Sequence, residues 1–392
     1  IAAAKASYVL GVIGKEKARF GGALDAGGWN WGQLSESPWA RIHETLPRSG
    51  DGHGGASAAV DFTLAPGAER IVRFVLAGHS PMWRGGGTLS SKEGNWFVHM
   101  YAIRHRSARE AALKLGREHE SLLARTLAWQ AEIYGDKPLP GWLQDSLINN
   151  LHLITETGMW AAAESPLPEW VRQQDGLFGM NECPRGCPQI ECIPCSFYGN
   201  IPVVYLFPEL ALSTLRGYKG YQYTEGAAPW IFGGVTGDTP PVDFAMPTRG
   251  YQITLNGLCY AAMVNRYALC WGGKEFNREF YESVKRNAIY TFNLRPDYPL
   301  GDRVISMPTG NEGTEWFEAP EPGWFGLVPH VGGLHLAQYR IVERMAVEAG
   351  DQKFAAECRK WIGAGRVSVN GKVSRLKASR FTKKQIGLLL FA

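Results

Sequence analysis

The sequence predicts a multidomain β + α protein, in which the end of an N-terminal β-sandwich precedes a toroid of paired helices. Alternating apolar and polar residues indicate strands before residue 86, and apolar residues spaced three and four apart indicate helices from residue 107 onward. Too few strands precede residue 86 for a complete sandwich, so we expect a β domain truncated at its N-terminal side. Successive helices joined by long loops rich in Gly, Pro and Trp are typical of an α/α toroid.

The first 86 residues contain three strand candidates. Residues 7–13 are mostly apolar, and residues 58–64 and 70–76 alternate in polarity. Pro66-Gly67 between the last two predicts a turn, and therefore a hairpin. We assign residues 1–86 to the end of the β-sandwich.

Helical spacing dominates the remainder of the chain. Ser107 precedes a long apolar period that runs to about Tyr134, which predicts a capped helix inside a linker at residues 87–137. Five further segments carry helical spacing and predict a barrel domain at residues 138–365: 143–155, 197–215, 251–269, 276–292 and 332–349. Residues 366–392 form a basic tail without a coherent period, which we expect not to be native-like.

Composition and charge exclude two classes of partner. The formal net charge is +4, but seven basic residues and no acidic ones follow Gly363, so the body of the chain is mildly acidic and we expect no nucleic-acid partner. No run approaches the roughly 18 apolar residues of a transmembrane helix, so no transmembrane segment is predicted. Four of the seven cysteines lie within 13 residues, which is unlike the spread of cysteines in a disulfide framework. This clustering favours a cytoplasmic location. We also expect the chain to be a fragment of a longer protein. The oligomeric state is left open.

The stretch from Asp175 to Asn200 is the most informative part of the sequence. It carries a carboxylate, Glu182, followed by a thiol-rich segment with cysteines at 183, 187, 192 and 195. The pattern predicts a loop between helices, and loops held by a rigid scaffold are frequent sites of chemistry.

Several segments, in order and at matching spacing, resemble glycoside hydrolase family 116, which includes the non-lysosomal glucosylceramidases and bacterial β-glucosidases. The matching segments are Phe62-Thr-Leu-Ala-Pro-Gly67, residues 72–79, Leu139-Pro-Gly-Trp-Leu143, residues 147–151, 157–160, 176–182, 197–213, 331–337 and 345–351. The resemblance covers most of residues 55–362. It implies a β-sandwich followed by a partial (α/α)6 barrel.

The resemblance also implies a retaining mechanism with two carboxylates. Glu182 falls on the family's nucleophile, which must be an ionised carboxylate beneath the anomeric carbon. On spacing alone, a surface salt bridge is the alternative role for Glu182. The mechanism needs no cofactor, and we expect neither a cofactor nor a catalytic metal.

The acid/base of the family lies in a Thr-Tyr-Asp-Gly-Trp motif, which this chain alters. Thr314 matches the motif and is followed by Glu315, with Glu318 three residues further on. We expect Glu315 to be the acid/base, with Glu318 as the second candidate and a structural role for both as the third. Trp316 and Trp324 could raise the pKa of either carboxyl by desolvation, and we place both with Thr314 among the substrate-binding residues.

Further candidates have two open roles each. Pro194 and Ser196 replace an Asp and a His that contact sugar in the family, and Glu191 could stand in for the lost carboxylate. Asp175 could hold the nucleophile segment or cap a turn. His330 could donate to a sugar hydroxyl or be a core histidine.

The four clustered cysteines have three open roles. The Cys192-x-x-Cys195 spacing is that of a zinc half-site, but the other two cysteines are spaced differently. A disulfide or redox pair and unlinked thiols lining the loop are the alternatives. A metal bound here would hold the loop instead of performing the chemistry.

The predicted function is that of a retaining glycoside hydrolase acting on β-glucosides, with a carbohydrate or a glycolipid as substrate. The alternative is a catalytically impaired carbohydrate-binding or scaffold protein that kept the barrel and lost sugar ligands.

Overall fold

The structure is a computed structural model that describes residues 6–22, 56–84, 95–183, 187–234, 253–307, 326–327 and 329–376. This part of the chain is mostly helical with small antiparallel sheets, which confirms the predicted β + α composition. None of its helices has both the length and the apolar character that a membrane crossing requires. The chain divides into two compact units, one of residues 1–83 with 98–148 and the other of residues 84–97 with 149–392.

The first unit is built from short strands and a long helix. Its strands are β1 (Ser7–Ile13), β2 (Ala18–Gly22), β3 (Ala56–Val60) and β4 (Arg73–His79). Two further strands, β5 (Met82–Arg84) and β6 (Trp96–Val98), pair with each other and include the residues at which the chain passes from one unit to the other. Its helices are α1 (Met100–Arg104), α2 (Ala108–Tyr134) and α3 (Gly141–Asn149).

The predicted hairpin between residues 58–64 and 70–76 is wrong. β3 pairs antiparallel with β2, with Val60 opposite Ala18. β4 instead pairs antiparallel with β1, with His79 opposite Ser7. Alternation identifies which face of a strand is buried but carries no information on the partner strand.

Alternate residues of β4 form the core of this unit. Val75 and Ala77 are buried and pack with Ala112 of α2, and Val9 and Ile13 of β1 complete the cluster. The predicted cap of α2 is confirmed, because the Ser107 hydroxyl accepts a hydrogen bond from the Glu110 backbone N–H at 3.1 Å.

The second unit places a four-stranded antiparallel sheet among helices. The sheet has the order β10-β9-β8-β7, formed by β7 (Gly158–Ala161), β8 (Leu177–Cys183), β9 (Cys187–Ile190) and β10 (Gly233–Gly234). A separate pair joins β11 (Ser306–Met307) to β12 (Gly326–Leu327). The helices are α4 (His152–Thr157), α5 (Ile193–Gly199), α6 (Ile201–Leu206), α7 (Pro208–Gly220), α8 (Ile253–Trp271), α9 (Lys274–Asn293), α10 (Leu300–Ile305), α11 (Pro329–Ala349) and α12 (Gln352–Leu376).

The helix predicted at residues 197–215 is divided among α5, α6 and α7. Pro202 and Pro208 lie at the starts of α6 and α7. Proline has no backbone N–H to donate and is therefore tolerated in the first turn of a helix but not in its interior. A new helix therefore begins at each proline, and α7 packs against β8.

The last described helix extends further than the sequence indicates. α12 continues through residue 366, where the sequence predicted a tail without regular structure, to Leu376. Val369 is buried in this extension, and the Ser368 hydroxyl donates a hydrogen bond to Asp302. Packing against α10 and α11 therefore stabilises a segment with weak helical periodicity.

Polar side chains in the helical core satisfy one another. Gln338 donates from Nε2 to Asn287 Oδ1 at 2.8 Å and accepts from Thr291 Oγ1 at 2.9 Å. Asn287 in turn donates to the carbonyl of Gly226 at 3.0 Å. Buried polar groups paired in this way avoid the penalty of desolvation and fix how α9 and α11 pack.

Candidate functional site

The candidate site is built on β8, which the sequence predicted as a loop. Two hydroxyl groups of α7 hold this strand in place. Ser213 accepts from the Phe178 N–H at 3.0 Å and donates to the Gly176 carbonyl at 3.1 Å. Thr214 donates to the Phe178 carbonyl at 3.1 Å, so the start of the strand is anchored to a helix.

The segment leading into β8 is held by Asp175 and Gly176. The Trp160 indole N–H donates to the Asp175 carbonyl at 2.8 Å, and the Asp175 carboxylate pairs with Arg216 at 2.5 Å. Gly176 has φ +59°, and a Cβ there would lie 2.3 Å from the Ala161 carbonyl oxygen. Asp175 thus lies in the segment that positions β8 and joins that segment to Arg216 of α7.

Glu182 lies near the end of β8, at an irregularity of the sheet. Asn181 pairs with Ile190 and Cys183 with Cys187, so the register between β8 and β9 shifts across Glu182. The extra residue lies on β9, where residues 188 and 189 face Glu182 alone, and such irregularities are enriched beside active sites. The Glu182 side chain is half-buried, and Oε1 accepts a hydrogen bond from the Cys195 thiol, with a sulfur–oxygen distance of 3.3 Å.

Glu191 follows β9 in a left-handed backbone conformation, with φ +59°. Its side chain is 1% exposed, and Oε2 accepts from the Met180 N–H at 2.7 Å. Its backbone N–H donates to the Met180 carbonyl at 2.7 Å, and its carbonyl accepts from the Tyr218 hydroxyl at 2.9 Å. Burial raises the pKa of Glu191 to about 7, against the opposing effect of hydrogen bonds from Met180, Ser196 and Tyr218. Glu191 therefore faces backbone and hydroxyl donors inside the protein.

Cys192 and Cys195 bring their thiols to Glu182. Cys192 is buried at the N-cap of α5, and Cys195 is half-buried one turn later. A hydrogen bond to Cys192, burial and the negative charge of Glu182 together raise the pKa of the Cys195 thiol. The two sulfur atoms and a Glu182 carboxylate oxygen all lie within 4.8 Å of one another.

The remaining predicted residues lie elsewhere. Thr314, Glu315, Trp316, Glu318 and Trp324 fall outside the described residues. His330 lies in the first turn of α11. Its neighbour His335 is a buried core histidine, because Nδ1 bonds the Val304 carbonyl and burial lowers the pKa of the imidazole to about 4.

Sequence reasoning missed the supporting residues on α7. Ser213 and Thr214 bond to Phe178 of β8, Arg216 pairs with Asp175 before that strand, and Tyr218 donates to the Glu191 carbonyl after β9. Ser213 with Arg216 and Thr214 with Tyr218 are spaced three and four residues apart on a predicted helix. That spacing places the four polar side chains close together on the helix, which was the signal available in the sequence.

Neither protein-family models nor curated proteins gave a match to this chain. The function is therefore inferred from the geometry of the site and from the resemblance described above.

Proposed function

We propose that this protein is a retaining glycoside hydrolase that acts on β-glucosides, with Glu182 as the nucleophile. The observation that carries the proposal is the placement of Glu182, a half-buried carboxylate opposite a bulge of β9, on a strand whose start is anchored to α7. Nucleophilic attack on an anomeric carbon requires a carboxylate held in one position by the surrounding structure.

The electrostatic surroundings of Glu182 support this role. The Cys195 thiol donates to Glu182 Oε1 and so helps to hold the carboxyl group in one orientation. The raised pKa of Cys195 keeps the thiol neutral near neutral pH, so no second negative charge adjoins the carboxylate. An ionised Glu182 is the form that attacks the sugar.

The second catalytic carboxylate is assigned to residues 313–324. We assign the acid/base role to Glu315, with Glu318 as the other candidate, and place Thr314, Trp316, Trp324 and His330 among the substrate contacts. Glu191 is assigned to supporting the strand pair, because its carboxyl group is buried against Met180. The substrate is a carbohydrate or a glycolipid with a β-linked glucose.

The proposal includes a finer architecture for each unit. The antiparallel strands of the first unit are assigned to part of a β-sandwich, and the helices of the second to part of an (α/α)6 barrel. Consecutive helices of the second unit pack side by side, α8 with α9 and α11 with α12, as the hairpins of such a barrel would. Within the described residues the helices do not form a closed ring.

The test is covalent labelling with a 2-deoxy-2-fluoro-β-glucosyl reagent bearing a good leaving group. The electron-withdrawing fluorine slows hydrolysis of the glycosyl-enzyme, so a retaining enzyme accumulates the adduct. Intact mass spectrometry should show one added glycosyl group, and peptide mapping should place it on Glu182. Glu182→Gln should remain unlabelled, and Glu156→Gln, a change at an exposed glutamate on α4, should label like the wild type.

An adduct on another carboxylate would overturn the assignment of Glu182. Absence of any adduct on folded protein, together with retained binding of β-glucosides, would favour the catalytically impaired carbohydrate-binding protein.

A further inference from the structure

We propose that Glu182, Cys192 and Cys195 form a binding site for a thiophilic divalent cation of the Zn²⁺ class. The site combines a two-cysteine segment at the start of α5 with a carboxylate from β8, so its ligands come from two separate elements. It differs from a four-cysteine site, because the third ligand is the carboxylate.

The distances fit tetrahedral coordination of zinc. With zinc–sulfur bonds of about 2.3 Å and a zinc–oxygen bond of about 2.1 Å, tetrahedral geometry puts sulfur and oxygen about 3.6 Å apart and the two sulfurs about 3.8 Å apart. Cys195 Sγ lies 3.3 Å from Glu182 Oε1, and the donor atoms of all three residues lie within 4.8 Å of one another. Small side-chain adjustments would therefore complete three vertices of a tetrahedron.

The backbone holds the two cysteines in place. The Cys192 carbonyl accepts from the Ser196 N–H at 2.8 Å, which closes the first turn of α5. The next residue, Ile193, donates its N–H to the Trp230 carbonyl at 2.9 Å and is fully buried. Neither thiol is joined in a disulfide. Ligands fixed in this way lose little conformational entropy on binding a metal.

Binding exchanges protons for the metal. Each thiol loses its proton, and the cation takes two thiolates and one carboxylate, with two protons released to solvent. Three protein ligands leave the fourth tetrahedral position for water or an exogenous ligand. If Glu182 is the nucleophile of the proposed function, metal binding and glycoside attack exclude each other. That consequence rests on the proposed function, whereas the metal site itself does not.

The experiment measures binding of Zn²⁺ to the full chain, kept reduced with a phosphine and first stripped of metal with a chelator. Competition with a chromophoric chelator should show one equivalent of Zn²⁺ bound. Co²⁺ in its place should produce the intense visible absorption of a tetrahedral site with thiolate ligands. Because loss of even an outer-shell partner weakens metal affinity by about 10–100-fold, Cys192→Ser and Cys195→Ser should each weaken it by at least about 100-fold.

Control variants separate this site from other thiols and from unfolding. Glu182→Gln should weaken Zn²⁺ affinity by at least about 10-fold while the far-ultraviolet circular dichroism stays unchanged, because the amide oxygen can still reach the cation but carries no charge. Cys270→Ser on α8 and Cys358→Ser on α12 should bind like the wild type.

Three results would overturn the proposal. The first is that reduced, folded wild-type protein binds no Zn²⁺. The second is wild-type affinity in the Cys192→Ser/Cys195→Ser double variant, and the third is complete loss of binding in Cys270→Ser or Cys358→Ser. Because the binding measurement requires no substrate, its result tests the metal site independently of whether Glu182 is labelled by the glycosyl reagent.

Discussion

At the level of single residues, Glu191 combines a left-handed backbone with a buried carboxyl group. The φ of +59° turns the chain out of β9, and the side chain then meets the Met180 N–H on β8. Left-handed backbone at a residue other than glycine is uncommon and is kept only where the surroundings require it. Here the hydrogen bonds from the Met180 N–H and the Tyr218 hydroxyl hold Glu191 in this conformation.

Glu191 should make the stability of the second unit depend on pH. The pKa of Glu191 rises from 4.5 to about 7 on folding, so the folded state binds its proton more tightly than the unfolded state. This contribution is fully present below pH 4.5 and is lost as pH rises through about 7, with a total near 3 kcal/mol at about 1.4 kcal/mol per pKa unit. Denaturant unfolding of Glu191→Gln should lack this decline, and above pH 7 the variant should be the more stable protein.

An exposed glutamate provides the control for Glu191. Glu120→Gln on α2 should retain the pH dependence of the wild type, because its side chain is 79% exposed. The same decline in Glu191→Gln as in the wild type would contradict the assignment.

Gly176 and Gly350 form a matched pair for testing backbone strain. Both have positive φ, but a Cβ at Gly176 would lie 2.3 Å from a carbonyl oxygen, whereas a Cβ at Gly350 meets nothing within 4 Å. Gly350→Ala should cost about 1 kcal/mol of unfolding free energy from the left-handed conformation alone. Gly176→Ala should cost about 3 kcal/mol or more, because the clash adds to that strain. Equal costs in denaturant unfolding would show that the segment before β8 relaxes.

At the level of elements, Arg216 of α7 joins the segment before β8 to α9. Its guanidinium pairs with Asp175 at 2.5 Å and with both oxygens of Glu279, the closer at 2.8 Å. Burial opposes ionisation of Glu279, but the hydrogen bonds and charge of Arg216 outweigh it and lower the pKa of that carboxyl. A bidentate, partly buried pair of this kind fixes the relative position of two elements.

Removing Arg216 should therefore destabilise the second unit. Arg216→Met leaves two partly buried carboxylates without this partner and should cost about 2–3 kcal/mol in denaturant unfolding. Arg340 on α11 is the matched control, because its pair with Glu343 is 56% exposed on the arginine side. Arg340→Met should cost less than about 1 kcal/mol. Similar costs for the two variants would mean that the Arg216 network is as weak as a surface pair.

Several elements could be predicted from the sequence because their signals are local. The Ser107 cap, the long helix α2 and the later helices α8, α9 and α11 follow from caps and helical periodicity. β8 was missed because its residues, Leu177–Cys183, lack a clear alternation and include Gly179. Hydrogen bonds from Ser213 and Thr214, distant in sequence, hold that strand.

At the level of the whole molecule, the chain forms two compact units, and the described part of the candidate site belongs to the second. The mixture of helices and antiparallel strands was evident from polarity patterns that each segment carries by itself. The pairing of β1 with β4 and of β2 with β3 was not. Strand pairing depends on contacts between residues far apart in the chain, which single-sequence periodicity does not record.

The same distinction applies to the candidate site. The sequence by itself determined that Glu182, Glu191 and four cysteines lie within 14 residues of one another, in a segment rich in chemically active groups. Only the tertiary structure decided that Glu191 is buried against Met180 while Glu182 meets the thiols of Cys192 and Cys195. The physical reason is that burial, pKa and hydrogen bonding depend on what α7 and the neighbouring strands bring to each side chain.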